Sequence, residues 1–455
     1  MKRAIHFACL LALGALALAG CAKKSARDFV RDPAIKAQLT SFAAEKESQA
    51  QSLASAGGKK LPPEFAAFFS AAENLDWEEA SHEYAELRKR LHNDTTLYGS
   101  WWQPVLETFG AAGQFALGDE KYAAAFGNNI IQSIPPGSIY FGGTDPGRFI
   151  VTAMEKSQIK GDPFFGLTQN TLTDDSYLDY LRSMYRDKIY IPTAADSQKC
   201  FASYYRDFQK RQAMHQLQPG ESVTNGPDGK MKVNSQISLV QVRDLLSREV
   251  FNQNTGREFY VEESFPLQWM YPYLEPHGLI FKLNHQPLTK LSDGLVQQDH
   301  AYWTKTVSPM IGDWLNDNTA LSNIAAFAEK VYLHHDFSGF TGDPAFVENA
   351  YSHQMFCEER LSIAGLYAWR AQHDPDAAAR QRMAAAADFA FRQAWALCPY
   401  SPEAVLGYVQ FLMSEKRISD ALVVAETAAE FPSGPTAGMI NQLISNLKRY
   451  QQQGK

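Results

Sequence analysis

Ser133-Ile134-Pro135-Pro136-Gly137-Ser138-Ile139-Tyr140-Phe141-Gly142-Gly143-Thr144-Asp145-Pro146-Gly147-Arg148-Phe149 is the stretch whose reading decides the fold class. Pro135, Pro136 and Gly137 predict a turn, and residues 138–141 a short β-prone run. A Gly-rich turn over 142–147 follows, and an apolar-periodic helix from Arg148 to about Lys156. Pro146 suits the first helical turn, where its missing N–H costs nothing. Strand, Gly-rich turn and helix in that order open an α/β unit.

Outward from there the same alternation continues. Residues 164–168 predict a second strand, followed by a helix through Tyr177, Tyr180, Leu181 and Tyr185. Residues 188–191, ended by Pro192, predict a third strand before a helix through Phe201 and Phe208. Residues 216–234 are polar, with Gly220, Asn225-Gly226 and Asp228-Gly229, and read as a long surface loop. A helix over 239–250 leads to strands at 258–261 and 279–283, with a short helix over 267–274 between them. Strands alternating with helices predict a mainly parallel sheet covered on both faces, so 133–290 reads as an α/β domain.

The flanks are helical. Phe65, Phe68, Phe69 and Leu75, then Trp77, Tyr84, Leu87 and Leu91, recur at helical spacing, and a second pair of helices follows within 62–132. Aromatic stripes of this kind are core faces. Residues 291–455 are helical again. Ala387, Phe391, Ala394 and Pro399 match the second-helix positions of a tetratricopeptide repeat, and Ala421, Ala425 and Ala428 repeat them. The spacing from Ala394 to Ala428 is 34 residues, the period of that repeat. The expected fold class is therefore α/β plus all-α, with a C-terminal tetratricopeptide-like region.

The first residues carry an address. Lys2 and Arg3 precede an apolar run over 5–18, too short for a permanent span of about 20 residues but right for a signal peptide. The run ends Leu18-Ala19-Gly20-Cys21, the pattern of a bacterial lipobox. Residues 1–20 are thus expected to be a lipoprotein signal, and Cys21 the acylated first residue of the mature chain, with palmitate-type chains as its membrane anchor. Ala22, in place of Asp, points to the periplasmic face of the outer membrane in a diderm cell. Residues 21–61, charged and Ala-, Ser- and Gln-rich, read as a stalk or linker with room for some helix.

Composition bounds the partners. The net charge is −7, with no basic stripe, so nucleic acid is not an expected partner. Aromatic residues make up 12% of the chain, which argues for packed cores rather than disorder. Cys200, Cys357 and Cys398 include no Cys-x-x-Cys pair, so no zinc site and no disulfide framework is implied. One disulfide between distant thiols and three buried free thiols both remain open. No metal or cofactor is expected.

The segment 134–149, with Gln169-Asn170-Thr171-Leu172, Tyr177 and Leu181, and the stretches 259–261 and 273–280, resembles the soluble C-terminal region of bacterial protein O-mannosyltransferase-like membrane glycosyltransferases. The resemblance covers about 120–285, and those enzymes commonly end in tetratricopeptide-like helices. It implies a stand-alone accessory domain: the multi-spanning half expected to carry the transferase chemistry has no counterpart here, and the acidic turn keeps only Asp145, with Arg148 added.

The best small-ligand site is the Gly-rich turn, with Gly142, Gly143, Thr144, Asp145 and Arg148. Ligands of open α/β sheets collect where strands end, and a helix N-terminus offers unpaired N–H groups. Asp145 would bind sugar hydroxyls or, more simply, cap the following helix. His334-His335-Asp336 lacks the spacing of a zinc motif. Glu262 and Glu263 follow a strand, but neighbours on a strand face opposite sides, which argues against a paired acid and base. Trp101, Trp102 and Trp269 read as core more than as sugar platforms. With no nucleophile motif, the sequence favours a non-catalytic envelope lipoprotein that binds or scaffolds a glycan or protein. The alternative is an enzyme acting on a sugar or lipid-linked precursor at 142–148.

Overall fold

A computed structural model describes residues 29–94, 98–218, 221–225, 231–233, 235–431 and 437–453. The signal segment and Cys21 lie outside them. Among the described residues the chain is mostly helical, around one small mixed sheet.

The N-terminal helices are α1 (Pro33–Ala56), α2 (Pro63–Glu73), α3 (Trp77–Asn93), α4 (Trp102–Leu117) and α5 (Glu120–Ser133). Residues expected in a stalk thus form α1, which Asp32 caps by accepting from the N–H groups of Ala34 and Ile35. Its buried stripe is Leu39, Phe42, Ala43, Lys46, Gln49, Ala50 and Ala54, and it packs on α4 and α2. Lys46 and Gln49 lie buried inside that stripe, where a solvated stalk would expose them.

Next come β1 (Ile139–Gly142), α6 (Asp145–Met154), β2 (Phe165–Thr168), α7 (Asp175–Tyr185), α8 (Ala194–Ala213), β3 (Val223–Asn225), β4 (Met231–Val233), α9 (Ser235–Gln253), β5 (Phe259–Glu262), β6 (Leu274–His277) and β7 (Ile280–Leu283). The main sheet has the order β2-β1-β5-β7-β6. β1 pairs in parallel with β2 and β5, whereas β7 is antiparallel to β5 and β6. The sheet is therefore mixed, not mainly parallel, because the last two strands form a hairpin joined by Gly278 at φ 65°.

Residues 188–191 are not a strand. The Asn254 side chain takes the place of a ladder there, accepting from the Tyr190 N–H at 2.8 Å and donating to the Tyr190 carbonyl at 3.1 Å. The loop expected over 216–234 contains the β3–β4 hairpin, in register Val223↔Val233. A helix expected over 267–274 shrinks to a 3₁₀ turn at Tyr271–Tyr273, since Pro272 and the start of β6 leave no room for more.

Helices α10 (Asp293–Ile311), α11 (Leu321–Phe327), α12 (Pro344–Glu348), α13 (Ala350–His373), α14 (Ala377–Leu397), α15 (Pro402–Ser414), α16 (Ile418–Ala429) and α17 (Ala437–Gln453) complete the chain. Consecutive helices pack as hairpins, α13 on α14 and α15 on α16. Ala387 and Ala394 are buried on α14, and Ala421, Ala425 and Ala428 on α16, so both sets fall on the second helix of a hairpin. α15 and α16, of 13 and 12 residues, fit a 34-residue unit; α13 and α14, of 24 and 21, exceed it. Arg360 on α13 ties this region together internally, pairing at 2.8 Å with the buried Asp299 of α10.

Candidate functional site

The parallel register aligns Gly142 of β1 with Thr168 of β2 and Glu262 of β5, so these strands end together. The chain leaves β1 toward β2 on one side, while β5 and its hairpin lie on the other. The β1/β5 boundary is thus a topological switch point, where open sheets bind ligands.

Glu262 is fully buried there. Its carboxylate accepts from the N–H groups of Gly143 (2.9 Å) and Thr144 (3.1 Å) and from the Thr144 hydroxyl. Thr144, rather than Asp145, caps α6, its hydroxyl accepting from the Gly147 N–H at 3.0 Å. The carboxylate therefore sits at the positive end of a helix dipole. The glycines are required by proximity and not by backbone conformation, since Gly142, Gly143 and Gly147 all keep ordinary φ. A Cβ on Gly147 would lie 1.7 Å from Glu262 Oε2, and one on Gly143 would lie 2.1 Å from Glu263 Oε2.

That last contact corrects the expectation that Glu262 and Glu263 point apart. β5 ends at Glu262, so strand alternation no longer governs Glu263, and both carboxyls reach the Gly-rich turn. Two more arrive from α13. Glu359 is buried, and burial followed by the Glu262 charge, and a hydrogen bond to Glu262, raises its carboxyl well above the usual range. It is held as the neutral acid donating to the Glu262 carboxylate, while its Oε2 has no hydrogen-bond partner. Burial, then the neighbouring Glu262 charge, pushes Glu263 up to about 8. Burial, reinforced by Glu403 and Glu262, pushes Glu358 up to about 7, against hydrogen bonds from Gln354 and Ser264. Glu263, Ser264 and Glu358 are half-buried, so the cluster opens to solvent on that side and is closed around Glu262 and Glu359.

Polar groups frame the opening. Asn170 donates to the Gly143 carbonyl at 2.9 Å and accepts from Arg243 of α9. Gln169, the next residue along β2 as Gly143 is along β1, is fully buried with both amide atoms unpartnered. Asp244, beside Arg243, is pushed up to about 6 by burial.

The sequence-predicted residues divide. Gly143 and Thr144 build the site directly, and Gly142 packs beneath it. Asp145 is exposed on the first turn of α6. Arg148 points away, its guanidinium 4.8 Å from the Phe149 ring centroid and 5.9 Å from that of Tyr177, with Gln103 at 3.4 Å. Nothing local in the sequence marks Glu358 and Glu359: their meaning comes from α13 crossing the strand ends. His334 and His335 follow a π-helical turn, and His334 lies 3.6 Å from Glu329. Trp102 is buried against Phe65 and Tyr84, and Trp269 donates to Ser247. Among the described residues no group of His, Cys, Asp and Glu is arranged to hold a metal ion, and no helix is long and apolar enough to cross a membrane.

Carboxyls raised by folding favour the protonated native state. An unfolded glutamate loses its proton near 4.5, so these groups contribute stability that is fully present below that pH and is lost as pH rises through about 8. The melting temperature is accordingly expected to be higher near about pH 5.5 than about pH 8.5, with the gap narrowed in Glu263→Gln. Equal gaps in variant and wild type would mean that Glu263 is ionised at neutral pH.

Comparison with protein-family models, curated proteins and solved structures finds no match to this chain.

Proposed function

We propose that the chain is a lipid-anchored cell-envelope protein, held through Cys21 at the periplasmic face of the outer membrane, that binds a hydroxyl-rich glycan at the carboxyl edge of its sheet. Its role is that of a non-catalytic accessory or scaffold in envelope glycan or glycoprotein assembly. The observation that carries the reading is the pair of carboxyls raised by burial, Glu263 to about 8 and Glu358 to about 7, on the open side of the switch point. A neutral carboxyl both donates and accepts, as a sugar hydroxyl does, and is covered by a ligand at less cost than a carboxylate. A separate open groove, lined by Tyr98, Trp101, Asp174 and Asp179 and by none of the switch-point residues, offers a second surface with an aromatic face. The tetratricopeptide-like reading of α13–α17 supports a second role, docking of a protein partner.

A catalytic reading is favoured by the same two residues. A carboxyl that keeps its proton at neutral pH is what glycosidic cleavage needs as general acid.

The test is a printed array of hexose, N-acetylhexosamine and uronic-acid oligosaccharides probed with the full chain. Binding that is lost in Glu263→Ala, with unchanged circular dichroism, is expected. An array blank for the folded wild type would sink the glycan reading. Shortened oligosaccharides released by wild type but not by Glu263→Gln would replace the accessory role by the catalytic one.

A further inference from the structure

Cys357 lies on α13 and Cys398 is the C-cap of α14, so the α13–α14 hairpin brings them to the same end of the helix pair. Both are free thiols in the structure, 0% and 2% exposed, and Cys398 is the neighbour that bears most on the Cys357 thiol. Independent contacts fix the two segments side by side. His353, one helical turn before Cys357, meets the Tyr400 hydroxyl at 2.9 Å, and Tyr332 stacks flat on His353 while donating to the Leu397 carbonyl at 2.6 Å. Cys200 lies on α8, far along the chain and outside this arrangement.

We infer that Cys357 and Cys398 form a disulfide in the exported protein, leaving Cys200 as a free thiol. The inference rests on the export reading of residues 1–21, because disulfides persist in the periplasm and not in the cytosol. The oxidant is the disulfide of a periplasmic dithiol oxidase. One protein thiolate attacks it, forming a mixed disulfide and expelling one oxidant thiolate. The second protein thiolate then attacks the mixed disulfide, forming the Cys357–Cys398 bond and expelling the other. Two electrons pass from the protein to the oxidant, and the two protein protons end on the two oxidant thiols.

The surroundings make this a structural crosslink and not a redox centre. In the folded protein the Cys357 thiol is held well above its ordinary range, by its hydrogen bond with Cys398 and then by burial. Burial pushes His353 down to about 3, so it supplies no cation to stabilise a thiolate. Exchange therefore runs before the pair is buried, and the finished bond, about 2.05 Å between sulfurs, is shielded from reductants.

The test is peptide mass spectrometry on full chain taken from its own host, with free thiols blocked by N-ethylmaleimide during lysis. Expected are a linked Cys357–Cys398 peptide pair and an alkylated Cys200. Lipidated protein with Cys357 and Cys398 both alkylated, or with Cys200 in the linkage, overturns the inference. If Cys21 is unacylated and the chain is cytosolic, the export reading fails by itself. The pairing is then decided by refolding denatured, reduced chain in a glutathione redox buffer. The same pair must dominate there, and any other pair, or none, overturns it. Cys357→Ala should also melt below wild type without reductant, and the gap should narrow, though not close, once wild type has been unfolded and refolded in reductant.

Discussion

Lys46→Met is expected to destabilise the folded chain by about 3–5 kcal/mol, the usual cost of leaving one member of a buried ion pair alone. Lys46 is fully buried on α1, 2.6 Å from Glu107 of α4, and also donates to Tyr180 at 2.8 Å and to Gln158. Burial by itself would raise the Glu107 carboxyl. The charges of Lys46 and Arg148, with hydrogen bonds from Lys46 and Tyr180, outweigh it and hold Glu107 below its usual range. Without Lys46 that compensation fails. Removing both charges, as Lys46→Met with Glu107→Leu, should recover most of the loss, since the cost lies in the orphaned carboxylate and not in the missing pair. Urea unfolding of the three proteins checks this. A single variant within about 0.5 kcal/mol of wild type would show that α1 is not an integral part of the fold.

Gly147→Ala is expected to cost about 2–4 kcal/mol, because overpacking and the loss of buried charge-assisted hydrogen bonds act together. The added methyl would occupy the place of the Glu262 carboxylate, which must then leave the N–H groups of Gly143 and Thr144. Gly365→Ala is the control. It lies inside α13 with nothing within 4 Å of the new Cβ, and should stabilise by about 0.5–1 kcal/mol through helix propensity. Urea unfolding of both variants reads the difference. Similar small effects would mean that Glu262 has another resting place.

The strand–turn–helix at 139–154 was legible because its signals are local: a β-prone run, paired glycines and a proline at the first helical turn. Four of the five expected strands lie within a residue of their predicted places for the same reason. What failed depended on distant partners. Tyr190 looks like a strand residue but finds its hydrogen bonds on Asn254, about sixty residues on. The composition of α1 suits a stalk with some helix, but not its packing, which depends on a lysine whose counter-charge, Glu107, lies on another helix. The mixed sheet followed from β6, whose central Pro276 weakens any strand reading. At the site, Gly143 and Thr144 could be picked out from the turn, whereas Glu262 and Glu263 were set aside by an alternation rule that ends with β5. Glu358 and Glu359 carry no mark at all until α13 is laid across the strand ends.

On the proposed reading, a neutral carboxyl at the switch point holds the ligand. Its most direct test is calorimetric titration of one array-selected oligosaccharide into full chain across the pH range around the Glu263 midpoint of about 8. Affinity is expected to fall roughly tenfold per unit once pH exceeds that midpoint, as a single required proton is lost. In Glu263→Gln, which keeps a neutral donor and acceptor, affinity should persist and the fall above about pH 8 should disappear, leaving only a dependence near 7 from Glu358. A wild-type affinity unchanged across that range, or a Glu263→Gln titration with the same pH dependence as wild type, would show that the Glu263 proton does not hold the ligand.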